Sequence, residues 1–225
     1  MKTLKFLLLP ALLSFTLIFT SATIGDGEKQ TERINNSTDV LKDFSKIKEG
    51  IPHEMIAKYE GIVIIPDLIN AGIGIGGKHG KGVAMVKLAD GKWSDPVFVS
   101  MTGGSFGAQI GVQSIDLILV FRHKTTLTKI KNGDFTIGGD ASAAAGPVGR
   151  SASANTDYKL DAEIYSYSRS KGLFAGISIN GANLAIDKSS NKDYYGDSAT
   201  SKDIFATSKS NKAAVKTLKG TLASM

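Results

Sequence analysis

The chain has 225 residues, of which 42% are hydrophobic and 21% are charged, and its formal net charge is +6. This length and composition predict one globular domain and exclude a disordered or a fibrous protein. The absence of Cys excludes a disulfide-stabilised scaffold and a lipid-modified N-terminal Cys.

The first 22 residues have the three-part layout of a secretory signal peptide. Lys2 and Lys5 precede an apolar run at residues 6–19, and small residues follow up to Ala22. A buried core helix is the alternative, and the run is short for a membrane span. We therefore predict a signal peptide at residues 1–22 and a single domain at residues 23–225.

Export without disulfides is typical of a bacterial periplasm, so we expect a periplasmic or secreted location. Cleavage near Ala22 removes two lysines and lowers the formal charge from +6 to +4. The charge of the full chain therefore overstates how basic the exported protein is.

Two helices are predicted before the first strand. Residues 28–48 carry apolar side chains at helical spacing, although Asn35-Asn36-Ser37 could interrupt the helix or cap a second start. The apolar stripe consists of Ile34, Leu41, Phe44 and Ile47. We expect this stripe to pack on a sheet. A shorter helix is predicted from Pro52 to Tyr59, with Pro52 in its first turn.

Residues 61–111 are predicted to form antiparallel strands, because β-branched residues and glycines recur there without a helical period. Residues 89–92 are Ala-Asp-Gly-Lys, and the Asp-Gly pair is typical of a tight hairpin turn. In residues 72–76 glycines alternate with Ile73 and Ile75, so one strand face carries no side chain. Such a face allows the close approach of a backbone or a ligand, or a sharp bend. The 25 Gly of the chain cluster in β-like segments, which predicts a strongly curved sheet.

The apolar run at residues 112–121 predicts a core strand that is covered on both faces. Asp116 lies inside this run, and a buried carboxylate needs partners, for which Arg122 and backbone donors are the candidates. A short helix at residues 125–131 and a turn at residues 132–133 are predicted to follow.

Four further segments have strand character. They lie at residues 135–139, 141–145, 158–168 and 173–186. The third alternates in polarity and is predicted to be half-exposed. In the last, the apolar positions change from odd to even numbers, which implies a bulge near Gly181.

A last helix is predicted at residues 212–222, with Val215, Leu218 and Leu222 as a narrow apolar stripe. Docking on the core is the expected role of so narrow a stripe, and contact with a membrane is the alternative. Together these elements predict an α+β fold. Its core is a mainly antiparallel, glycine-rich, curved or barrel-like sheet, and helices lie at both termini.

Two glycine motifs match cofactor or catalytic signatures without the required context. Residues 72–77 match the dinucleotide fingerprint G-x-G-x-x-G, which needs a helix directly afterwards, whereas residues 78–86 predict a turn and a strand. Residues 103–107 match the nucleophile elbow G-x-S-x-G around Ser105. That elbow also needs a helix, and residues 107–111 are a poor helix start. We therefore predict neither a nucleotide site nor a hydrolase.

His53, His79 and His123 are too scattered for metal-ligand spacing, and without Cys only carboxylates could complete a site. Asp161 and Glu163 lie on one predicted strand face, where carboxylates are more often solvated than catalytic. Export and the lack of a basic run interleaved with aromatic residues argue against nucleic acid. We predict no catalytic residue, no metal, no cofactor and no nucleic-acid partner.

Basic residues at predicted turns are the remaining candidate site. If these turns share one end of the sheet, they form a site for anionic lipid headgroups, to which each cation contributes about 1 kcal/mol at a charged membrane surface. Scattered solubilising charge is the alternative interpretation. The candidate headgroup ligands are Lys78, Lys81, Arg122, Lys124, Arg150, Arg169 and Lys171.

Five ordered motifs resemble the SYLF lipid-binding family, which occurs in eukaryotic actin-patch and phosphoinositide-binding proteins and in bacterial exported proteins. The motifs lie at residues 90–96, 107–111, 127–139, 145–150 and 167–176. The resemblance extends over residues 28–222, and it implies a β-rich, non-enzymatic domain that binds membrane lipid. The eukaryotic relatives have a lysine-rich N-terminal helix, whereas residues 28–49 here are charge-balanced. The resemblance therefore does not imply phosphoinositide specificity.

These observations support two functional hypotheses. The first is an exported, non-enzymatic protein that binds anionic phospholipid headgroups at the cell envelope through its basic turns, with the small-residue sheet face or its rim for acyl contact. The second is a structural or interaction protein of the envelope that holds a protein partner. Liposome binding that falls with salt supports the first hypothesis, and a stable protein partner without lipid binding supports the second.

Overall fold

Two long strands form an antiparallel ribbon on which the rest of the fold is built. The structure, a computed structural model, describes residues 27–47, 50–130, 135–146, 161–170, 173–174 and 177–225. Six helices and seven strands lie within these ranges. The helices are α1 (Glu28–Lys46), α2 (His53–Lys58), α3 (Lys124–Thr128), α4 (Lys188–Tyr195), α5 (Ser201–Phe205) and α6 (Ala213–Ala223). The strands are β1 (Gly61–Val86), β2 (Val97–Phe121), β3 (Phe135–Thr136), β4 (Ala143–Ala145), β5 (Ile164–Ser170), β6 (Leu173–Phe174) and β7 (Asn183–Ile186).

The turn that connects β1 to β2 is the predicted hairpin. Lys87 forms a β-bridge with Trp93, and the Leu88 carbonyl accepts the Gly91 amide at 3.0 Å. Gly91 has a φ of +79°, which glycine adopts without strain. The Asp-Gly signal therefore predicted this turn correctly.

The strand β1 doubles back on itself at residues 72–76. A Cβ on Gly72 would lie 2.6 Å from the Gly76 Cα, and a Cβ on Gly82 would overlap the Ile64 carbonyl oxygen. The two halves of β1 therefore touch through their backbones, which glycine alone allows at such close range. Of the predicted uses of the bare glycine face, the structure shows both the close approach of another backbone and the sharp bend.

The bend gives the ribbon two distinct ends. The ribbon tip comprises residues 69–77 of β1 and the paired residues 104–114 of β2. At the other end, the start of β1 lies beside the hairpin turn, and the Lys87 amide donates to the Glu60 carbonyl at 2.8 Å. We call this end the ribbon base, and Gly61 pairs there with Phe121.

Shorter strands extend the ribbon into a seven-stranded, curled half-barrel. The second half of β2 pairs with β5, from Asp116 opposite Arg169 to Phe121 opposite Ile164. The first half of β2 pairs with β7, which also pairs with β3. Strand β4 lies parallel to β5, and β6 lies antiparallel to it. The predicted α+β fold with a mainly antiparallel curved sheet is confirmed.

Both faces of the ribbon body are buried. Ile62 and Ile64 pack in a core layer with α1, α2 and α6, whereas Val63 and Ile65 pack in a second layer with α3 and α5. Helices α1 and α6 also pack on each other. Successive residues of one strand thus enter opposite core layers, as the period of a strand requires.

The predicted helices at both termini are confirmed, and two further helices were missed. Residues 35–37 do not interrupt α1, and Ile34, Leu41 and Phe44 of its predicted stripe are buried, whereas Ile47 is the C-cap and is half-buried. The missed helices α4 and α5 lie in the polar segment after β7. Their N-caps are Asp187, which accepts the Ser190 amide, and Thr200, which accepts the Asp203 amide. Such side-chain caps start short polar helices without an apolar period.

Three strand predictions are corrected by the structure. Residues 173–186 hold two strands rather than one, because the chain turns at Gly181, whose φ is +76°. Residues 164–168 of β5 are buried rather than half-exposed, since the strand lies between β2 and β4 in a sheet covered on both faces. Residues 112–121 are buried from Ile115 onward, apart from the half-buried Asp116, but Val112 is exposed because it belongs to the ribbon tip.

The predicted signal peptide at residues 1–22 and the turn at residues 132–133 lie outside the described residues. No helix among the described residues is long and apolar enough to cross a membrane.

The backbone contact at Gly82 yields a stability prediction. Gly82→Ala is expected to lower the free energy of unfolding by about 3 kcal/mol, because the added Cβ meets backbone atoms that cannot move aside. Gly220→Ala is the matched control, since a Cβ at Gly220 meets nothing within 4 Å and alanine favours the helix by up to about 1 kcal/mol. Urea denaturation of the two variants measures the difference. Equal midpoints for Gly82→Ala and the wild type would contradict the close packing.

Candidate functional site

The ribbon tip exposes an apolar surface. Within the part of the chain whose side chains are described, the exposed large hydrophobic residues all lie there. Their exposed fractions are 43% for Ile69, 78% for Ile73, 73% for Ile75 and 71% for Val112. Clustered exposed apolar residues of this kind mark a contact with a membrane or a protein.

The bend explains why these isoleucines face outward. Neighbouring side chains of a strand point to opposite faces. Gly72 and Gly76 meet on the inner face of the bend, so Ile73 and Ile75 are left on its outer face. The same alternation of glycine and isoleucine that permits the bend therefore also builds the apolar surface.

The sequence contains a signal for this site that was not used. Residues 68–77 and residues 96–115 contain no charged residue. Two uncharged stretches that pair with each other at a glycine-rich bend predict an uncharged end of the molecule. The glycine-isoleucine alternation predicted the bare face and its rim as a contact surface, but not the outward direction of the isoleucines.

A network of ion pairs lies just below the tip. The Arg169 guanidinium donates to Asp116 at 2.7 and 3.1 Å and to Asp43 of α1 at 2.8 Å. Burial alone would lower the pKa of Arg169, but Asp116 and Asp43 outweigh it and raise that pKa. The Asp116 carboxylate also accepts the Asp67 amide at 3.3 Å. The guanidinium partner of Asp116 is thus Arg169 rather than the predicted Arg122, and the predicted backbone donor is present.

The predicted headgroup ligands on the tip side have protein partners. The Lys78 ammonium donates to the Ser178 carbonyl, and burial lowers the Lys78 pKa. Lys81 lies 3.4 Å from the Asp187 carboxylate, and its side chain is half-exposed. Arg169 is held by its two carboxylates, so in this structure it joins α1 to the sheet.

The remaining predicted ligands do not join these three in one cluster. Arg122 and Lys124 directly follow Phe121 and therefore lie at the ribbon base, away from the tip. Arg150 and Lys171 lie outside the described residues. Lys171 follows Ser170, the last residue of β5, whose hydroxyl donates to the Ser114 carbonyl at the edge of the tip. Headgroup binding by these residues stays a prediction.

A second cluster, around Asp187, ties α1 and β1 to α4. The carboxylate accepts hydrogen bonds from Ser190 and Ser189 and from Arg33 of α1, the last at 3.1 Å. Burial would raise the pKa of Asp187, but these hydrogen bonds outweigh it and hold the pKa well below its ordinary value. Asp187 therefore stays ionised, and it stabilises the fold.

Both glycine motifs lie inside strands. The G-x-G-x-x-G match belongs to β1 and the G-x-S-x-G match to β2, so no helix follows either one. Neither motif therefore has the strand–turn–helix context that its chemistry needs. The described residues contain no group of three or more His, Asp or Glu side chains placed to hold a metal ion.

Comparison with known proteins assigns the family. Residues 102–225 match the Ysc84 family, described as Las17-binding protein actin regulator. The chain belongs to the SYLF (Ysc84) family. This confirms the resemblance found in the sequence motifs.

Individual SYLF relatives show how much of their length is shared. SH3 domain-containing YSC84-like protein 1 of Xenopus laevis is 33% identical over 164 residues, which cover 70% of this chain and 49% of that protein. LAS seventeen-binding protein 3 of Saccharomyces cerevisiae is 34% identical over 159 residues, which cover 69% of this chain and 34% of that protein. Protein YSC84 of the same yeast is 35% identical over 176 residues, with 74% and 37% covered. The chain thus spans a third to a half of these relatives.

The network at Arg169 yields a second stability prediction. Arg169→Ala leaves Asp116 and Asp43 without their shared cation, so the free energy of unfolding is expected to fall by about 2–3 kcal/mol. Lys46→Ala is the control, because it removes an exposed pair with Asp43 and is expected to cost at most about 0.5 kcal/mol. Thermal and urea unfolding measure both variants. An Arg169→Ala protein as stable as the wild type would contradict the structural role of this network.

The low pKa of Asp187 yields a pH prediction. A carboxyl whose pKa is depressed by folding stabilises the protein above its unfolded pKa of about 3.9, and this contribution is lost as the pH falls toward the folded pKa. Asp187→Asn is therefore expected to have a lower free energy of unfolding than the wild type at pH 7. Urea denaturation at pH 7 and at pH 3 is expected to show a smaller difference between the two proteins at pH 3. Asp197→Asn, at an exposed ion pair, is the control. If the difference in the free energy of unfolding were the same at pH 7 and at pH 3, the low pKa of Asp187 would be contradicted.

Proposed function

We propose that the protein is an exported, non-enzymatic lipid-binding protein that attaches to anionic phospholipid membranes at the cell envelope. The ribbon tip enters the boundary between the headgroups and the acyl chains. The observation that carries this proposal is the combination, at one end of the molecule, of four exposed large hydrophobic residues and no charged residue. A protruding end of this composition crosses the headgroup layer without burying a charge.

The relative sizes of the apolar and charge contributions favour the tip as the main contact. Full burial of an isoleucine side chain contributes on the order of 2 kcal/mol. A Lys or Arg near an anionic surface contributes about 1 kcal/mol, and salt screens it. Ile73 and Ile75 are each about three-quarters exposed and have most of that gain available. Apolar insertion therefore supplies the affinity, and cations supply the preference for anionic lipid.

Lys81 suits this secondary role, because its half-exposed side chain lies on β1 beyond the tip segment. Lys78 directly follows the tip segment, but it is only 7% exposed and donates to the Ser178 carbonyl. Arg122 and Lys124 at the ribbon base are too far along the ribbon to reach the same membrane surface. The headgroup role is thus proposed for Lys81, with Arg169 and Lys78 as structural support.

A protein partner is the second candidate function. It is favoured by the names of the relatives, which describe Las17 binding and actin regulation for those proteins. The ribbon tip would serve this function equally well as an apolar docking surface. Under this alternative the protein acts as an interaction module of the envelope and is indifferent to lipid.

Vesicle binding distinguishes the two functions. The chain from Thr23 is expected to cosediment with vesicles that contain phosphatidylglycerol more strongly than with pure phosphatidylcholine, and salt is expected to weaken this preference. Ile73→Thr/Ile75→Thr keeps the β-branched shape but removes apolar surface, and it is expected to weaken binding at least about tenfold. The measurement is cosedimentation at graded lipid concentration.

The control variant is Ala206→Ser/Ala213→Ser, which makes two exposed positions away from the tip more polar by adding a hydroxyl to each. It is expected to bind vesicles like the wild type. If the tip variant also binds like the wild type, the tip is not the membrane contact. If no vesicle is bound by the wild type, the lipid function is wrong and the protein partner becomes the leading candidate.

A further inference from the structure

A cleft of about 500 Å³ opens at the ribbon base, at the end of the molecule opposite the tip. Three elements form its walls: helix α2, the hairpin turn between β1 and β2, and the C-terminal helix α6. This volume lies in the range of small-molecule sites in proteins. The cleft lining includes none of the residues of the ribbon tip, so it is a separate site.

The floor of the cleft is apolar. It contains Ile56 of α2, Trp93 of the hairpin turn and Leu222 of α6, all of which belong to the core layer under the helices. Their side chains are fixed by that packing. An apolar ligand laid along this floor meets a preformed surface and orders few side chains on binding.

Three lysines surround this floor. Lys87 donates to the carbonyls of Ile56 and Ala57 in the last turn of α2, at 2.6 and 2.7 Å. Lys219 donates to Asp95 at 2.5 Å and to Ser208 at 2.8 Å, and Lys92 donates to Asp90 at 2.9 Å.

Each of these lysines has donor capacity left. An ammonium carries three N–H donors, and the described contacts use at most two of each. Lys92 and Lys219 are balanced by carboxylates, whereas Lys87 is held by two neutral carbonyl oxygens and lies 5.4 Å from the centre of the Trp93 ring. Lys87 therefore brings a positive charge to the edge of an apolar floor, where the nearby Glu60 carboxylate favours its charged form without a hydrogen bond to it among the described contacts.

We propose that this cleft binds one anionic, single-chain amphiphile, whose acyl chain lies on Trp93 and Leu222 and whose headgroup accepts hydrogen bonds from Lys87. Charge complementarity selects an anionic head, and the apolar floor selects a chain. The inference rests on the proposed lipid function only for the class of ligand. It adds a site for a single molecule to the proposed attachment to a membrane surface.

The concave shape of the cleft favours a single bound molecule over contact with a bilayer. A bilayer is contacted by a protruding surface such as the tip, whereas the cleft is concave and its lysines surround its floor. A carboxylate or a phosphate monoanion suits Lys87 equally, so a fatty acid and a lysophospholipid share the required chemistry. The experiment contains one arm for each of them.

Trp93 supplies a direct readout, because it is the one Trp of the sequence. Bromine atoms quench tryptophan fluorescence on contact. A dibrominated stearate is expected to quench Trp93 in the chain from Thr23, whereas its uncharged methyl ester is expected to quench at least about tenfold more weakly per unit concentration. Competition by palmitate or by lysophosphatidylglycerol then distinguishes the two sources of the headgroup.

Two variants test the location of the site. Gly220 lines the cleft, and a Cβ there meets nothing within 4 Å, so Gly220→Leu fills the cleft without a clash at the backbone. It is expected to weaken quenching at least about tenfold. Thr217→Leu on the same helix, outside the cleft lining, is the matched control.

Lys87→Gln tests the headgroup contact. It keeps donors for the α2 carbonyls but removes the charge, and it is expected to abolish the preference for the acid over the ester.

Absence of quenching by the brominated acid, or equal quenching of the wild type and Gly220→Leu, would overturn the proposal. Quenching that survives in the Ile73→Thr/Ile75→Thr protein supports it, since the tip is not part of the cleft. If the wild-type protein does not bind vesicles but its Trp93 is quenched, the membrane function is wrong and the cleft proposal stands. If it binds vesicles but Trp93 is not quenched, only the cleft proposal is wrong.

Discussion

The contact between the two halves of β1 is the constraint on which the rest of the structure depends. Gly82 lies against the Ile64 carbonyl, and Gly72 lies against Gly76, at distances that leave no room for a Cβ. Because the ribbon can fold over at these points, its body acquires a core layer on each face. The same fold turns Ile73 and Ile75 outward at the bend. A 26-residue strand thus supplies both the core of the domain and its most exposed apolar surface.

Two of the seven predicted headgroup ligands, Lys81 and Arg169, form ion pairs that hold helices on this ribbon. Arg169 joins α1 to β2 and β5, and Asp187 gathers Arg33 of α1 and Lys81 of β1 at the start of α4. Arg169 stands in a motif that resembles the SYLF family, so the family signature at this point encodes a structural tie. In the proposed membrane attachment, apolar contact at the tip therefore contributes more to the affinity than a basic patch does. The hypothesis drawn from the sequence had relied on the basic turns instead.

Local signals predicted the parts of the fold that are set by neighbouring residues. The Asp-Gly pair located the hairpin, helical spacing located α1 and α6, and the density of glycine predicted a curved sheet. Features set by distant residues were missed. Arg169 is 53 residues from Asp116 and 126 from Asp43, so no local pattern identifies the network. Residues 173–186 alternate like one strand on both sides of Gly181, and the turn at that glycine becomes evident only from its φ and from the pairing of β7 with β2.

The ribbon tip was predictable only in part, because its local features follow from neighbouring residues and its orientation follows from distant ones. Sequence alone identified the glycine-isoleucine alternation and its bare face, but the direction of the isoleucines depends on which face meets the other half of the ribbon. The base cleft was not predictable at all, since it joins α2, the hairpin turn and α6, which lie far apart in the chain. Helix α1 lies between the two ends: it packs on α6, and its Asp43 binds Arg169 below the tip. Energetic coupling between two binding sites requires a structural element that can adopt two arrangements. Ion pairs at Arg33 and at Asp43 fix α1 to α4 and to the sheet, so a second arrangement of α1 would have to break them. The uncharged tip and the lysine-rimmed cleft share no lining residue, and each can therefore be tested by its own variants.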